Sequence, residues 1–208
     1  EWTWDGKKND GKPAADGVYH AEFVLFSMGT ENKAVCEPFT LDTKPLEATL
    51  TVNPKILSPN GDGVNDTVLI SVSSKEETAV VDWSLRMIDP AGNLFLEQKG
   101  TSARPIALKW DGRSATGELV QSGEEYRVEA RLADAAGNIR LLKDTIDSDI
   151  LVQNFGNTLK IVIPSIVYEG NAADYSVGKP EKVAKNLKVL NRLADILRKY
   201  PAYTLVIE

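Results

Sequence analysis

The sequence predicts a mainly β chain: β-sandwich units in the first part, then a partial α/β (βαβ) module. Three observations carry this. Short segments alternate apolar and polar residues between clusters of Gly, Asp, Asn and Pro. A Trp-Asp-Gly motif with flanking glycines and a tyrosine occurs twice. From Thr158 onward the pattern becomes strand, helix, strand.

The duplicated motif sets the domain size. Trp4-Asp5-Gly6-Lys7, Gly11 and Gly17-Val18-Tyr19 match Trp110-Asp111-Gly112-Arg113, Gly117 and Gly123-Glu124-Glu125-Tyr126 at an offset of 106–107 residues. Each unit then closes on Asp-Thr, at Asp42-Thr43 and at Asp144-Thr145. A period near that length is a whole sandwich domain and not a solenoid repeat. Trp110 is expected to end a strand with its ring buried and its indole N–H bonded to one acceptor. In Tyr126–Leu132 the even positions Tyr126, Val128, Ala130 and Leu132 face a core, while Arg127, Glu129 and Arg131 face water.

Leu46–Val52, Val68–Val72, Val80–Ile88 and Leu94–Gln98 read as further strands, with Asp89–Asn93 and Asp134–Asn138 as hairpin turns. Residues 45–150 therefore form a complete unit. Residues 1–44 hold only the back half of another, cut short or completed by residues outside the sequence. Residues 151–208 form a truncated α/β module. There Leu159–Ile163 is a strand and Pro180 opens a helix. Val183, Leu187, Leu190, Ala194 and Leu197 make its apolar stripe, widened by Leu193 and Ile196, and Lys182, Lys185, Lys188, Arg192 and Lys199 lie mainly outside it. Tyr200-Pro201 ends the helix, and Thr204–Ile207 begins another strand.

Composition narrows the function. The chain has 208 residues, 42% hydrophobic and 26% charged, and a formal net charge of -6, which fits folded protein. Residues 1–155 carry a net of -9 and residues 156–208 a net of +3. The acidic front repels nucleic acid, so no nucleic-acid partner is expected. The basic residues of the tail suit a solvated helix face or an anionic partner. One cysteine, Cys36, and one histidine, His20, exclude an intramolecular disulfide and a zinc site of four cysteines or of two cysteines and two histidines. There is no apolar run long enough to span a membrane. Because the chain opens on Glu1-Trp2, a leader, a lipid anchor or further domains upstream stay open, and membrane association is expected only through such parts.

The densest motif is Ser58-Pro59-Asn60-Gly61-Asp62-Gly63-Val64-Asn65-Asp66. Asn60, Asp62, Asn65 and Asp66 offer the hard oxygens that Ca²⁺ takes, although the spacing is not that of an EF-hand. The same side chains can instead bond their own turned backbone, leaving a purely structural loop. No other cofactor is expected. His20 lacks a catalytic partner in the sequence, and Cys36 lacks a nearby base. Asp144, Asp147 and Asp149 either form an acidic pocket or solvate a domain connection. Phosphate loops, nucleophile elbows and paired zinc ligands are missing. No catalytic residue is assigned, and the chain is not expected to be an enzyme.

The loop at 58–66, the Trp110–Arg113 turn, the Gly123/Tyr126 strand and the Asp134–Asn138 turn resemble the immunoglobulin-like domain of the flagellar hook-capping protein family. That resemblance implies a spacer or assembly module with no fixed ligand. Residues 158–208 resemble the first part of an OmpA-like peptidoglycan-binding domain, with Leu193, Ile196, Leu197, Tyr200-Pro201, Leu205, Val206, Ile207 and Glu208 leading up to that family's Gly-His-Thr-Asp stretch. The peptidoglycan-binding residues would then lie beyond Glu208. Immunoglobulin-like units ahead of an OmpA-like module are similar to spirochaete OmpA-domain proteins. The resemblance implies a periplasmic, outer-membrane-associated structural protein that links the outer membrane or surface structures to peptidoglycan, with envelope proteins as further partners. The alternative is a protein–protein binding or adhesion module, calcium-stabilised or not.

Overall fold

A computed structural model describes residues 3–74, 80–101, 106–156, 158–204 and 206. It is mainly β. The first 44 residues give two short hairpin-like sheets. Strand β1 (Gly17–Tyr19) pairs with β4 (Phe39–Leu41), and β2 (Glu22–Ser27) pairs with β3 (Thr30–Val35), both antiparallel. The alternating segment that follows Tyr19 is interrupted at His20-Ala21, outside β1 and β2, where Cys36 Sγ accepts the Ala21 N–H at 2.9 Å.

The next unit has two sheets that contribute to one hydrophobic cluster. Its strands are β5 (Ala48–Asn53), β6 (Ile56–Leu57), β7 (Val68–Ser74), β8 (Val80–Ile88), β9 (Leu94–Thr101), β10 (Ile106–Trp110), β11 (Glu125–Asp134) and β12 (Ile139–Ser148). One sheet runs β10-β7-β5 and the other β6-β12-β11-β8-β9. Among the described residues only the short β6–β12 pairing is parallel. Period-two alternation produces this architecture. Tyr126, Val128, Ala130 and Leu132 on β11 are buried and face Val68, Ile70 and Trp110 of the opposite sheet within the same cluster. Each large apolar side chain so buried contributes about 1.5–3 kcal/mol.

The turns are built as the sequence implies. Asp134 accepts N–H bonds from Ala136 at 2.9 Å and Asn138 at 2.8 Å. Asp89 accepts the Asn93 N–H at 2.7 Å. Asn138 also reaches the preceding half unit, donating from Nδ2 to the Asp42 carbonyl at 3.1 Å.

After Ser148 the chain forms an antiparallel hairpin, β13 (Leu151–Phe155) with β14 (Thr158–Val162), and then helix α1 (Pro180–Arg198). Of two expectations, the βαβ order falls partly outside the described residues and the helix stripe is corrected. The βαβ order is not formed among the described residues. Strand β14 takes its partner from β13, and Thr204 and Val206 lie outside any strand; Leu205, Ile207 and Glu208 are outside the described residues. The helix stripe is also rotated. Val189, Ile196 and the polar Asn186 are buried, whereas Leu187 is 41% exposed. The buried face packs with Ile150, and Val152, Ile161, Ile166, Leu193 and Tyr200 lie around that contact.

Candidate functional site

The chain's distinctive residues form four local geometries, of which the last two meet α1. The first is the Trp110 turn. The indole N–H of Trp110 donates to the Arg113 carbonyl at 2.8 Å, and Asp111 accepts the Arg113 N–H at 3.2 Å. Gly112 has φ +82°, and a Cβ there would lie 2.9 Å from Leu57 Cδ2, so the turn sits directly on the chain entering the 58–66 loop.

That loop is the second. Asp66 accepts the N–H groups of Gly61 and Gly63, each at 2.7 Å, one on each carboxylate oxygen. Asp62 accepts the Val64 N–H at 2.8 Å, and Asn60 accepts the Asp62 N–H at 3.0 Å and donates from Nδ2 to Asp62 at 3.1 Å. The structure thus brings Asn60, Asp62 and Asp66 together. Asn65 contributes its backbone: its carbonyl accepts the Ser58 N–H at 2.7 Å and its φ is +57°, a left-handed conformation that Asn tolerates better than most residues. Two carboxylates are present in this loop. Among the described residues no group of three or more His, Cys, Asp or Glu side chains is placed to hold a metal ion.

The third is the acidic edge of β12. Asp144, Asp147 and Asp149 do not converge on one pocket. Asp144 pairs with Lys55, Asp147 with Lys188 at 2.6 Å, and Asp149 with Arg192. Asp149 is buried, and its backbone N–H donates to the Leu57 carbonyl at 2.7 Å. Burial pushes its carboxyl pKa up, but the Arg192 guanidinium, the Ile150 N–H and the Ser58 hydroxyl together hold it below the ordinary carboxylate value. Asp149 in turn raises the pKa of Arg192.

The fourth is the helix face itself. Lys185, Lys188 and Arg192 pair with Glu124, Asp147 and Asp149 respectively. The three cations expected mainly outside the contact face thus pair with carboxylates of the β unit, Lys185 and Lys188 while still exposed. Asn186 is held inside the helix–connection contact: its Oδ1 accepts the Val167 N–H at 3.0 Å, and Nδ2 donates to the carbonyls of Val167 at 2.8 Å and Tyr175 at 3.1 Å. Sequence reasoning missed Asn186, although a polar residue one turn ahead of Val189 was a visible signal. Ser122 completes the seam, donating to the Val162 carbonyl and accepting the Leu151 N–H. His20 is exposed.

The arrangement is suited to holding segments together: its polar groups are matched to one another. No helix among the described residues is long and apolar enough to cross a membrane.

No family model and no curated protein matches the chain. Among solved structures, dimeric latent PorU from Porphyromonas gingivalis is similar at 16% identity and TM-score 0.40, covering 66% of this chain and 13% of that one. CopC from Methylosinus trichosporium OB3b is similar at 20% identity and TM-score 0.33, covering 50% and 94%. FlgD from Xanthomonas campestris, described as a hook-capping protein, is similar at 18% identity and TM-score 0.28, covering 46% and 67%. The chain therefore spans a small part of PorU and about two-thirds of FlgD. These likenesses are distant and partial, and they do not single out an immunoglobulin-like unit paired with an OmpA-like module.

Proposed function

We propose that the chain is a structural spacer of the bacterial cell envelope. In this reading an immunoglobulin-like sandwich carries an OmpA-like module, and the intact protein links outer-membrane or surface structures to peptidoglycan without catalysis. The observation that supports it is the seam between α1 and the β unit. A doubly hydrogen-bonded pair between the half-exposed Arg192 and the buried Asp149, flanked by two exposed ion pairs, ties the helix to the β unit, as a load-transmitting linker requires. Co-sedimentation with insoluble sacculi tests the reading. The polypeptide continued through a Gly-His-Thr-Asp stretch should be retained, and residues 1–208 alone retained weakly or not at all. Equal retention of both, or of neither, overturns it.

A second reading is favoured by the first 44 residues. All six residues of β2 and all six of β3 are exposed, Leu25 at 66% and Phe26 at 73%. So much apolar surface on a two-stranded hairpin suits a protein–protein binding or adhesion module, with calcium at Asn60, Asp62, Asn65 and Asp66 as an optional stabiliser of the neighbouring unit.

A further inference from the structure

The two units are copies in geometry as well as in sequence. Trp4 Nε1 donates to the Lys7 carbonyl at 2.7 Å as Trp110 Nε1 does to Arg113 at 2.8 Å. The Ala14 N–H donates to the Gly6 carbonyl at 2.8 Å as Val120 does to Gly112. Each tryptophan sits in a three-ring cluster, Trp4 with Tyr19 and Phe39, and Trp110 with Tyr126 and Phe95. Strand pairing keeps the offset too: Tyr19 lies opposite Phe39 as Tyr126 lies opposite Ile146. The β1–β2 segment is therefore the counterpart of β11.

The difference lies on one side. Strand β11 is central, with β12 on one edge and β8 on the other. Among the described residues β2 has only β3. Hydrogen-bond parity identifies which groups this leaves outward. In an antiparallel pair alternate residues bond the neighbour and the others turn away. The Cys36 N–H donates to the Ala21 carbonyl, so the odd positions of β2 serve β3, and Glu22, Val24 and Phe26 turn their backbone groups to the open edge. In the complete unit the Ser148 N–H donates to the Glu124 carbonyl, so Glu129, Arg131 and Ala133, the counterparts of those residues, serve β8. The acceptor positions match.

We propose that the β2 edge is a strand-acceptor site. Its occupant is an extended β-segment of the β8 type, adding antiparallel to Glu22–Phe26 and widening the sheet beside Leu25. The internal copy supplies this occupant: Val80–Ile88 fills that position against β11, with Leu85 and Met87 buried beside their cross-strand partners Ala130 and Val128. A two-stranded hairpin is marginal alone, and an unpaired edge invites another strand. The inference rests on the binding-module reading and is independent of peptidoglycan.

The test uses the whole 208-residue chain with a second copy of the Val80–Ile88 sequence appended ahead of Glu1 through a Gly/Ser linker, which places it at millimolar effective concentration. Amide hydrogen exchange at Glu22, Val24 and Phe26 should slow at least about tenfold relative to the unextended chain. Val24→Pro removes the central outward donor and leaves the β3 pairing intact, so it should abolish the protection while hairpin exchange at Leu25 is retained. Unchanged exchange at the three amides, or protection that survives V24P, overturns the proposal. So does concentration-dependent protection in the unextended chain, since the edge would then be filled by a second copy. Sacculus binding bears on neither outcome, so failure here and failure of the tether reading are distinguishable.

Discussion

Arg192 grips Asp149 through both ends of its guanidinium edge, with Nε donating to Oδ1 at 2.7 Å and Nη2 to Oδ2. The pair is unequal: the Asp149 side chain is 7% exposed and that of Arg192 is 41% exposed. Removing the arginine strands a buried carboxylate. Full burial of both partners would make that loss about 3–5 kcal/mol; with the arginine half in solvent, Arg192→Ala is expected to cost about 1–3 kcal/mol. Lys185→Ala and Lys188→Ala break exposed pairs and should cost about 0–1 kcal/mol each. Urea denaturation of the three variants measures the ranking.

The same pair gives a pH signature. The folded-state pKa of Asp149 is depressed, so its contribution is fully present above the unfolded value of about 3.9 and is lost as pH falls through the lower folded value. Protection of α1 amides from exchange should hold from neutrality down to about pH 4 and fall below it. Asp149→Asn should weaken docking at neutral pH and flatten that acid limb. An acid limb of the same steepness in D149N would assign it to other carboxylates.

Asp66 ties down two glycine amides that no strand reaches. Asp66→Ala is therefore expected to cost about 1–2 kcal/mol, by the scale of helix N-caps, and Asp62→Ala somewhat less. Both losses should be the same in EDTA and in millimolar Ca²⁺. A large calcium-dependent rise in Tm that D62A abolishes would show instead that the metal holds the loop.

Gly112 and Gly117 both have positive φ, but their surroundings differ. A Cβ on Gly112 would meet Leu57 at 2.9 Å and Val120 at 3.3 Å, whereas one on Gly117 meets nothing within 4 Å. Gly117→Ala should cost only the backbone strain of about 1–2 kcal/mol. Gly112→Ala adds displacement of the core and should lower Tm further, which a pair of thermal melts checks.

Trp110 is 2% exposed and Trp4 half-buried, although their turns are alike. Trp110→Ala should cost about 3–5 kcal/mol. Trp4→Ala should cost less in the unextended chain, and the gap should narrow once a strand occupies the β2 edge. Calorimetry of both variants, with and without the appended strand, checks this.

Much of the β architecture was legible in the sequence, because a period of two can bury only one face of a strand. Val80–Ile88 forms with the predicted bounds, Trp110 ends its strand, and the helix begins at Pro180. The Asp-Gly turns were legible because Asp side chains and glycine backbones satisfy them locally. Tertiary structure decided the rest. Pairing register makes Asp42 the counterpart of Asp149, not of Asp144, since Tyr19–Phe39 and Tyr126–Ile146 align at one constant offset; the two Asp-Thr dipeptides therefore do not occupy equivalent positions. Strand β14 turned back onto β13 because a hairpin partner lay one turn away, which local sequence did not rank above a strand after the helix. The helix face was decided by the partner that covers it. Apolar spacing alone favoured Leu187, but the buried face carries Val189, Leu193 and Ile196 against Ile150, Val152 and Ile161, and Lys185, Lys188 and Arg192 meet carboxylates far back in the chain; a sequence read segment by segment names neither partner.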